Sequence, residues 1–221
     1  MTFPHYKGKY VNKVLRKTDK SKEKMVKLDA VVVFCGGSAG SDPFYIEQAE
    51  KMGKILADNK IKLIYGAGGR GLMGAVAKGA LDNGGYVIGA TVRTLYEIEK
   101  ADLVDTAIQK FEVWDKMSNR KVSMTKQTDA ICVLPGGLGT LDELFEMLVL
   151  RQIKINNKPI IVVNINGFYN SLDKMLKEMA AVGFIKPHQL NLMRFVETVD
   201  DVLPAIYEEL EVISKQNGED A

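Results

Sequence analysis

Leu134-Pro135-Gly136-Gly137-Leu138-Gly139-Thr140-Leu141-Asp142-Glu143 is the stretch on which the reading of this chain turns. Asp129–Val133 before it is a short apolar run of the kind that forms a buried strand. After it, Leu144, Met147, Leu148 and Arg151 recur at helical spacing with no proline between them. The pattern is strand, tight glycine turn, helix. Gly136, Gly137 and Gly139 are expected to take positive φ and to let a ligand approach the backbone closely. The helix starting near Gly139 aims unpaired N–H groups and the positive end of its dipole into the same space, and Thr140 adds a hydroxyl. Such a turn can cradle a phosphate or another anion. Packing of strand on helix could also demand these glycines, but it would not call for Glu143, an acid one helical turn into an anion site.

Working outward, apolar runs alternate with helical stretches along the chain. Strands are expected at Ala30–Cys35, Lys62–Tyr65, Tyr86–Ala90, Ala107–Val113, Asp129–Val133, Pro159–Asn164 and Arg194–Glu197. Helices are expected from Asp42-Pro43 to Asn59, Leu72 to Asp82, Trp114 onward, Phe168 to Val182 and Asp200 to Ile213, with a loop and short helix over Thr91–Lys100. Strands that read as unbroken apolar runs between helices imply a parallel sheet covered on both faces. The expected architecture is therefore an α/β, doubly wound, mostly parallel sheet of about seven strands, Rossmann-like, with its ligand beyond the carboxyl ends of the strands. Glycine-rich turns follow the first strand (Gly36-Gly37-Ser38-Ala39-Gly40), the second (Gly66-Ala67-Gly68-Gly69-Arg70-Gly71) and the fifth, all on that edge.

Composition bounds the rest. The chain has 221 residues, 46% hydrophobic and 26% charged, which fits one domain with a real core. The expected division is a basic arm over 1–27, a single nucleotide-binding domain over 28–215 and a polar tail over 216–221. No apolar run approaches the roughly 20 residues needed to span a bilayer, and no secretory signal is visible, so no membrane contact is expected. Cys35 and Cys132, the only cysteines, end strand-like runs, and two buried thiols point to a reducing cytoplasm; a disulfide between them is the alternative. The arm carries nine Lys and Arg against Asp19 and Glu23, so the remainder is net acidic although the whole chain is +2. It reads as a solvated tail, or as a short helix packed through Tyr6, Tyr10, Val11, Val14 and Leu15, ahead of a nucleic-acid contact.

Several chemistries are missing their residues. His5 and His188 stand in no cluster with metal-ligand spacing, so no metal is expected, and neither has an evident nucleophile to activate. No lysine follows the glycines as in a P-loop. Gly89-Ala90-Thr91 stands where a dinucleotide fold would carry its ribose-binding acid. No cofactor is called for. What remains is an anion cradle with Arg120 and Glu143, each just inside a helix that starts on the same rim of the sheet. A surface ion pair is the plainer account of Arg120, and an arginine forked onto a phosphate or carboxylate is the other. Phosphate cradle, arginine and carboxylate together suit cleavage of a glycosidic bond in a phosphorylated nucleoside.

Assembled, these residues resemble the LONELY GUY family, the cytokinin riboside 5′-monophosphate phosphoribohydrolases. That family has also been described as possible lysine decarboxylases, and its bacterial members as AMP nucleosidases. Its PGGxGTxxE signature is similar to Pro135–Glu143, and its Met-x-x-Arg-Lys element to Met117-Ser118-Asn119-Arg120-Lys121. The resemblance runs on through Tyr65-Gly66, Gly71-Leu72-Met73-Gly74, Lys158-Pro159, Gly167-Phe168-Tyr169 and Gly183-Phe184-Ile185, covering Asp29 to Tyr207. It implies hydrolysis of a nucleoside 5′-monophosphate to free base and ribose 5-phosphate, with Arg120 and Glu143 catalytic and the turn Gly136–Thr140 on the 5′-phosphate. The substrate contacts it implies are Gly36, Ser38, Gly68, Gly71, Met117, Lys121, Gly136, Gly137, Gly139 and Thr140. It also implies a homodimer with sites near the interface. The chain departs from the family pattern at Cys35-Gly36-Gly37-Ser38, Ala67, Thr91-Val92, Ser118 and Leu150, which moves the expected base from a cytokinin to plain adenine. A nucleotide sensor or carrier and a pyridoxal-phosphate decarboxylase are the competing classes.

Overall fold

The computed structural model describes residues 27–99 and 108–219. All of the basic arm but Lys27, the expected strand start at Ala107, and the end of the tail lie outside the described residues. Seven strands form one sheet: β1 (Ala30–Phe34), β2 (Lys62–Tyr65), β3 (Val87–Val92), β4 (Lys110–Trp114), β5 (Ala130–Val133), β6 (Ile160–Val163) and β7 (Arg194–Val196). Their order is β4-β3-β2-β1-β5-β6-β7 and every ladder is parallel, where a mostly parallel sheet was expected. The chain thus winds outward from β1 to β4, returns to the centre, and winds out the other way from β5. The reversal lies between β1 and β5, and in open parallel sheets the ligand crevice opens there.

The helices are α1 (Phe44–Asp58), α2 (Gly71–Leu81), α3 (Arg93–Glu99), α4 (Met117–Lys126), α5 (Leu138–Gln152), α6 (Asn170–Ala181) and α7 (Val202–Glu219). Alternate residues of each strand serve opposite faces. Val31, Val33 and Cys35 pack with Leu63 and Tyr65 under α1, α2 and α7. Val32, Phe34, Ile131 and Val133 pack under α4, α5 and α6. Both faces of the central strands are therefore dry, which is why their sequences show no alternation.

Element bounds moved where pairing or backbone geometry overrode local pattern. β3 runs on to Val92 because Thr91 and Val92 pair with Val113 and Trp114, so Trp114 ends a strand instead of opening a helix. The helix after β6 starts at Asn170, behind a 3-10 turn at Ile165–Gly167 whose Asn166 and Gly167 both have positive φ. α7 continues past the expected end at Ile213. Glu112 on the edge strand β4 accepts hydrogen bonds from Ser123 Oγ at 2.7 Å and Gln127 Nε2 at 3.1 Å, tying α4 down onto the sheet.

α1 and α2 touch backbone to backbone. A Cβ at Gly53 would lie 2.0 Å from the carbonyl oxygen of Val76, and one at Gly79 would lie 1.9 Å from that of Glu50. Neither contact can yield without separating the helices. Gly79→Ala is expected to destabilise the fold by about 3 kcal/mol or more, read as a lowered urea midpoint. An unchanged midpoint would mean that the crossing has room these distances deny it.

Candidate active site

The crevice at the β1/β5 reversal has a volume of about 430 Å³. The turn after β1 supplies Gly36, Gly37 and Ser38, and the turn after β5 supplies Pro135, Gly136, Gly137, Gly139 and Thr140. Gly36 N–H donates to the carbonyl of Pro135 at 3.0 Å, while its own carbonyl accepts from Leu72 and Met73 N–H at 3.0 and 3.2 Å. The first turn is thereby pinned between the second of these turns and the start of α2.

The glycines of the central turn act otherwise than expected: none of Gly136, Gly137 and Gly139 has positive φ. A Cβ on Gly136 would stand 2.1 Å from Thr140 Oγ1 and 2.8 Å from Gly36 N, so this glycine lets three pieces of the site converge. A Cβ on Gly137 or Gly139 would meet nothing within 4 Å, so there the missing side chain leaves space open to the crevice. Gly137 is the N-cap of α5 and offers no capping side chain. First-turn N–H groups and the helix dipole are left for an anion, with buried Thr140 beside them.

Arg120 and Glu143, the latter one turn further along α5 itself, line the same crevice. Arg120 Nη1 donates to Glu143 Oε1 at 3.1 Å and to Met117 Sδ at 3.4 Å, and Nε donates to the carbonyl of Ala90 at 2.8 Å. Both residues are buried, Arg120 6% and Glu143 9% exposed, so this is no surface pair. Burial pushes the Glu143 carboxyl above the ordinary glutamate value; Arg120 and, more weakly, Lys121 oppose it, and Asp142 adds to it. Burial, with the Glu143 charge adding to it, pushes the thiol of Cys35 in the crevice wall well above its ordinary value, which makes it a poor nucleophile.

Of the expected contacts, Gly36, Ser38, Met117, Arg120, Gly136, Gly137, Gly139, Thr140 and Glu143 line the crevice together. Gly68, Gly71 and Lys121 lie outside its wall. Gly71 has φ +56° and a Cβ there would meet the Gly37 carbonyl carbon at 2.4 Å; Gly68 abuts Met73. The glycine turn after β2 thus supports the first turn from behind. Lys121 bonds Asp142 and Glu146 of α5. The wall also contains Tyr45, Met73, Leu95 and Phe168, none of them expected as contacts from the sequence. Phe168 stands edge-on to Tyr45 with ring centroids 6.0 Å apart. The signals available for Phe168 and Met73 were their places in Gly167-Phe168-Tyr169 and Gly71-Leu72-Met73-Gly74, stretches of the family resemblance. Among the described residues no His, Cys, Asp and Glu cluster could hold a metal, and no helix is long and apolar enough to cross a membrane.

The family model described as possible lysine decarboxylase matches residues 73–206. The cytokinin riboside 5′-monophosphate phosphoribohydrolase LOG7 of Arabidopsis thaliana is 38% identical over 157 residues, 71% of this chain and 71% of that protein. A cytokinin riboside 5′-monophosphate phosphoribohydrolase of Rhodococcoides fascians is 34% identical over 177 residues, 80% and 88% of the two chains. Among solved structures, the molybdenum cofactor carrier protein of Chlamydomonas reinhardtii superposes with a TM-score of 0.61 at 20% identity, covering 84% of this chain and 99% of that one. At that identity the likeness is one of fold.

Gly66 packs against the guanidinium: a Cβ there would lie 2.6 Å from Arg120 Nη2 and 2.8 Å from Met73 Sδ. Both are ends of flexible side chains, so Gly66→Ala should fold while displacing Arg120. With the cation moved off, the Glu143 carboxyl should titrate at higher pH than in the unmodified protein, followed by 13C NMR. An unmoved titration would show that Arg120 keeps its place.

Proposed function

The chain belongs to the family described as possible lysine decarboxylase, and from that membership and the site we propose that it hydrolyses the N-glycosidic bond of a nucleoside 5′-monophosphate. The products are the free base and ribose 5-phosphate. The observation that carries this reading is a buried arginine–carboxylate pair lining the same crevice as an uncapped helix N-terminus. The cradle of Gly136, Gly137, Gly139 and Thr140 suits the 5′-phosphate, and the phosphoribohydrolases to which the chain is similar indicate the bond to be cut.

Once the phosphate is anchored, the ribose falls between cradle and pair. As the C1′–N bond lengthens, the electron pair leaves with the base and positive charge grows on the sugar. A fixed carboxylate beside that charge stabilises the transition state, and can take a proton from the water that delivers hydroxide to C1′. Arg120 serves by keeping Glu143 ionised where burial alone would favour the neutral acid. Its Nε bond to the backbone of β3 keeps it from following the substrate.

AMP is the substrate we infer first. A cytokinin ribotide differs from it on the exocyclic nitrogen of adenine, and the features described here address phosphate and sugar, which the two share. Of the places where the chain departs from the family pattern, Cys35–Ser38 lines the crevice, while Ala67, Thr91, Val92, Ser118 and Leu150 lie off its wall; Tyr45, Met73, Leu95, Met117 and Phe168 are the large side chains available to the base. We further propose a homodimer. Leu138, Val149 and Ile153 are exposed on one face of α5, with Val122 on α4 nearby in sequence to the site. Two unpaired buried thiols accord with a cytoplasmic setting.

Purified protein given AMP should release adenine, followed chromatographically beside an N6-substituted AMP and other monophosphates. Glu143→Gln should lower kcat by about a thousandfold while nucleotide binding persists. Adenine release equal to that control would sink the hydrolase reading. Because the carboxylate is the working form and its pKa is raised, activity should fall on acidification through a pH above the ordinary glutamate range. A limb absent there would mean that Glu143 does not work as an anion. Light scattering should give twice the chain mass, with Val149→Lys shifting it toward one.

A further inference from the structure

Beside the pair that faces the crevice lies a second set of charges that does not. Lys121 follows Arg120 on α4, and its side chain is only 10% exposed. Its ammonium donates to Asp142 Oδ2 at 2.9 Å and meets Glu146 Oε2 as well. Those two acids are four residues apart, hence on one face of α5, and Glu143 follows directly after Asp142. Side chains bridge α4 and α5 here: besides the Lys121 pair, Thr125 Oγ1 donates to Met147 Sδ at 3.4 Å. Burial works against the Lys121 charge, and the bonds to Glu146 and Asp142 outweigh it, leaving a lysine that is fully protonated.

We propose that Lys121 is a positioning residue for the reaction inferred above: by clamping α4 to α5 through Asp142 and Glu146, it fixes the Arg120–Glu143 geometry without touching substrate. The inference rests on that proposed reaction. Two facts separate it from ordinary packing. A clamp on neighbouring residues of the same two helices transmits any slip directly to the catalytic atoms, and misplacement of about 1 Å costs on the order of a hundredfold in rate. Lys121 also places a positive charge near Glu143, alongside Arg120 on the same helix. Asp142 opposes them from α5, and the uncharged thiol of Cys35 faces Glu143 from the end of β1.

Lys121→Met tests it, with Lys121→Arg as the conservative control. Arginine keeps the charge and can fork onto both acids. For Lys121→Met, kcat should fall by about tenfold to a hundredfold with KM little changed. The acid limb of the rate profile should move to higher pH, since one charge opposing protonation of Glu143 is gone. Lys121→Arg should recover most of kcat and restore the limb. Wild-type kcat and limb in Lys121→Met would overturn the proposal. So would equal losses in both variants that track a lowered melting temperature with the limb unmoved, which is what a purely structural lysine predicts. Should the unmodified protein release no base from any monophosphate, the parent reading fails by itself. Titration of Glu143 by 13C NMR in Lys121→Met then judges the clamp: an upward shift supports it, and an unchanged value overturns it.

Discussion

Holding a guanidinium 3.1 Å from a carboxylate, with both nearly out of water, is the constraint on which this structure depends. Each ion gives up several kcal/mol of hydration, and attraction offsets that only where geometry is fixed and the other polar atoms find partners. The protein meets these terms with pieces from distant parts of the sheet. The end of β3 accepts from Nε, the turn after β2 leaves room for Nη2 at Gly66, and α5 presents the acid. Strand order makes this assembly possible. α4 is the connection that brings the chain back from edge strand β4 to central strand β5, so it must cross the face over β3, β2 and β1. An arginine on its inner side is carried to the reversal point whatever the local sequence prefers.

Glycines do two jobs around that point, and only one of them concerns ligand. Gly36, Gly71 and Gly136 sit where backbone meets backbone or Thr140; a Cβ at Gly71 or Gly136 would collide, and one at Gly36 would be crowded at 3.3 Å from Gly136 and Ser38. They weld the turns after β1, β2 and β5 into one surface. Gly137 and Gly139 have nothing within 4 Å of a Cβ, and a side chain there would take up space that the crevice keeps open. The same residue type thus builds the wall and leaves the opening, and surroundings alone distinguish the cases.

That distinction explains how far the sequence could be read. The strand–turn–helix at Leu134–Glu143, the apolar runs of the five inner strands and the parallel, doubly covered sheet follow from local pattern, because burial on both faces writes itself as runs of Val and Ile. The meeting of Arg120 and Glu143 was also legible, although for an incomplete reason. Their helices start after consecutive strands of the chain, but β4 and β5 are separated by three strands in the sheet, and the long crossing of α4 closes the gap. What stayed hidden depends on contacts between residues far apart in sequence. Gly68 and Gly71 look like ligand glycines until Met73 and Gly37 are seen against them. Tyr45 and Phe168 are 123 positions apart and share a wall only after β1 and β6 have taken places on either side of β5. Lys121 stands among the substrate contacts that the family resemblance implies, and only the structure shows its two acids.

The fold by itself does not choose between holding a nucleotide and cutting one. Carrier proteins of 20% identity share this architecture, and for a carrier the cradle at α5 would suffice. A buried ion pair adds nothing to grip that a well-packed apolar pair would not supply at lower cost, since apolar replacements of such pairs are often neutral or stabilising. Nor do the lysines favour the chemistry in the family's older description. No lysine lines the crevice among the described residues; Lys121 is committed to Asp142 and Glu146, and Lys158 donates to the Thr125 carbonyl at the far end of α4. A Schiff base would need a lysine amine free to face its carbonyl. What the crevice does present is a carboxyl group whose charge burial opposes and Arg120 favours, and the cost of burying that pair has a return only where positive charge must be met during a reaction.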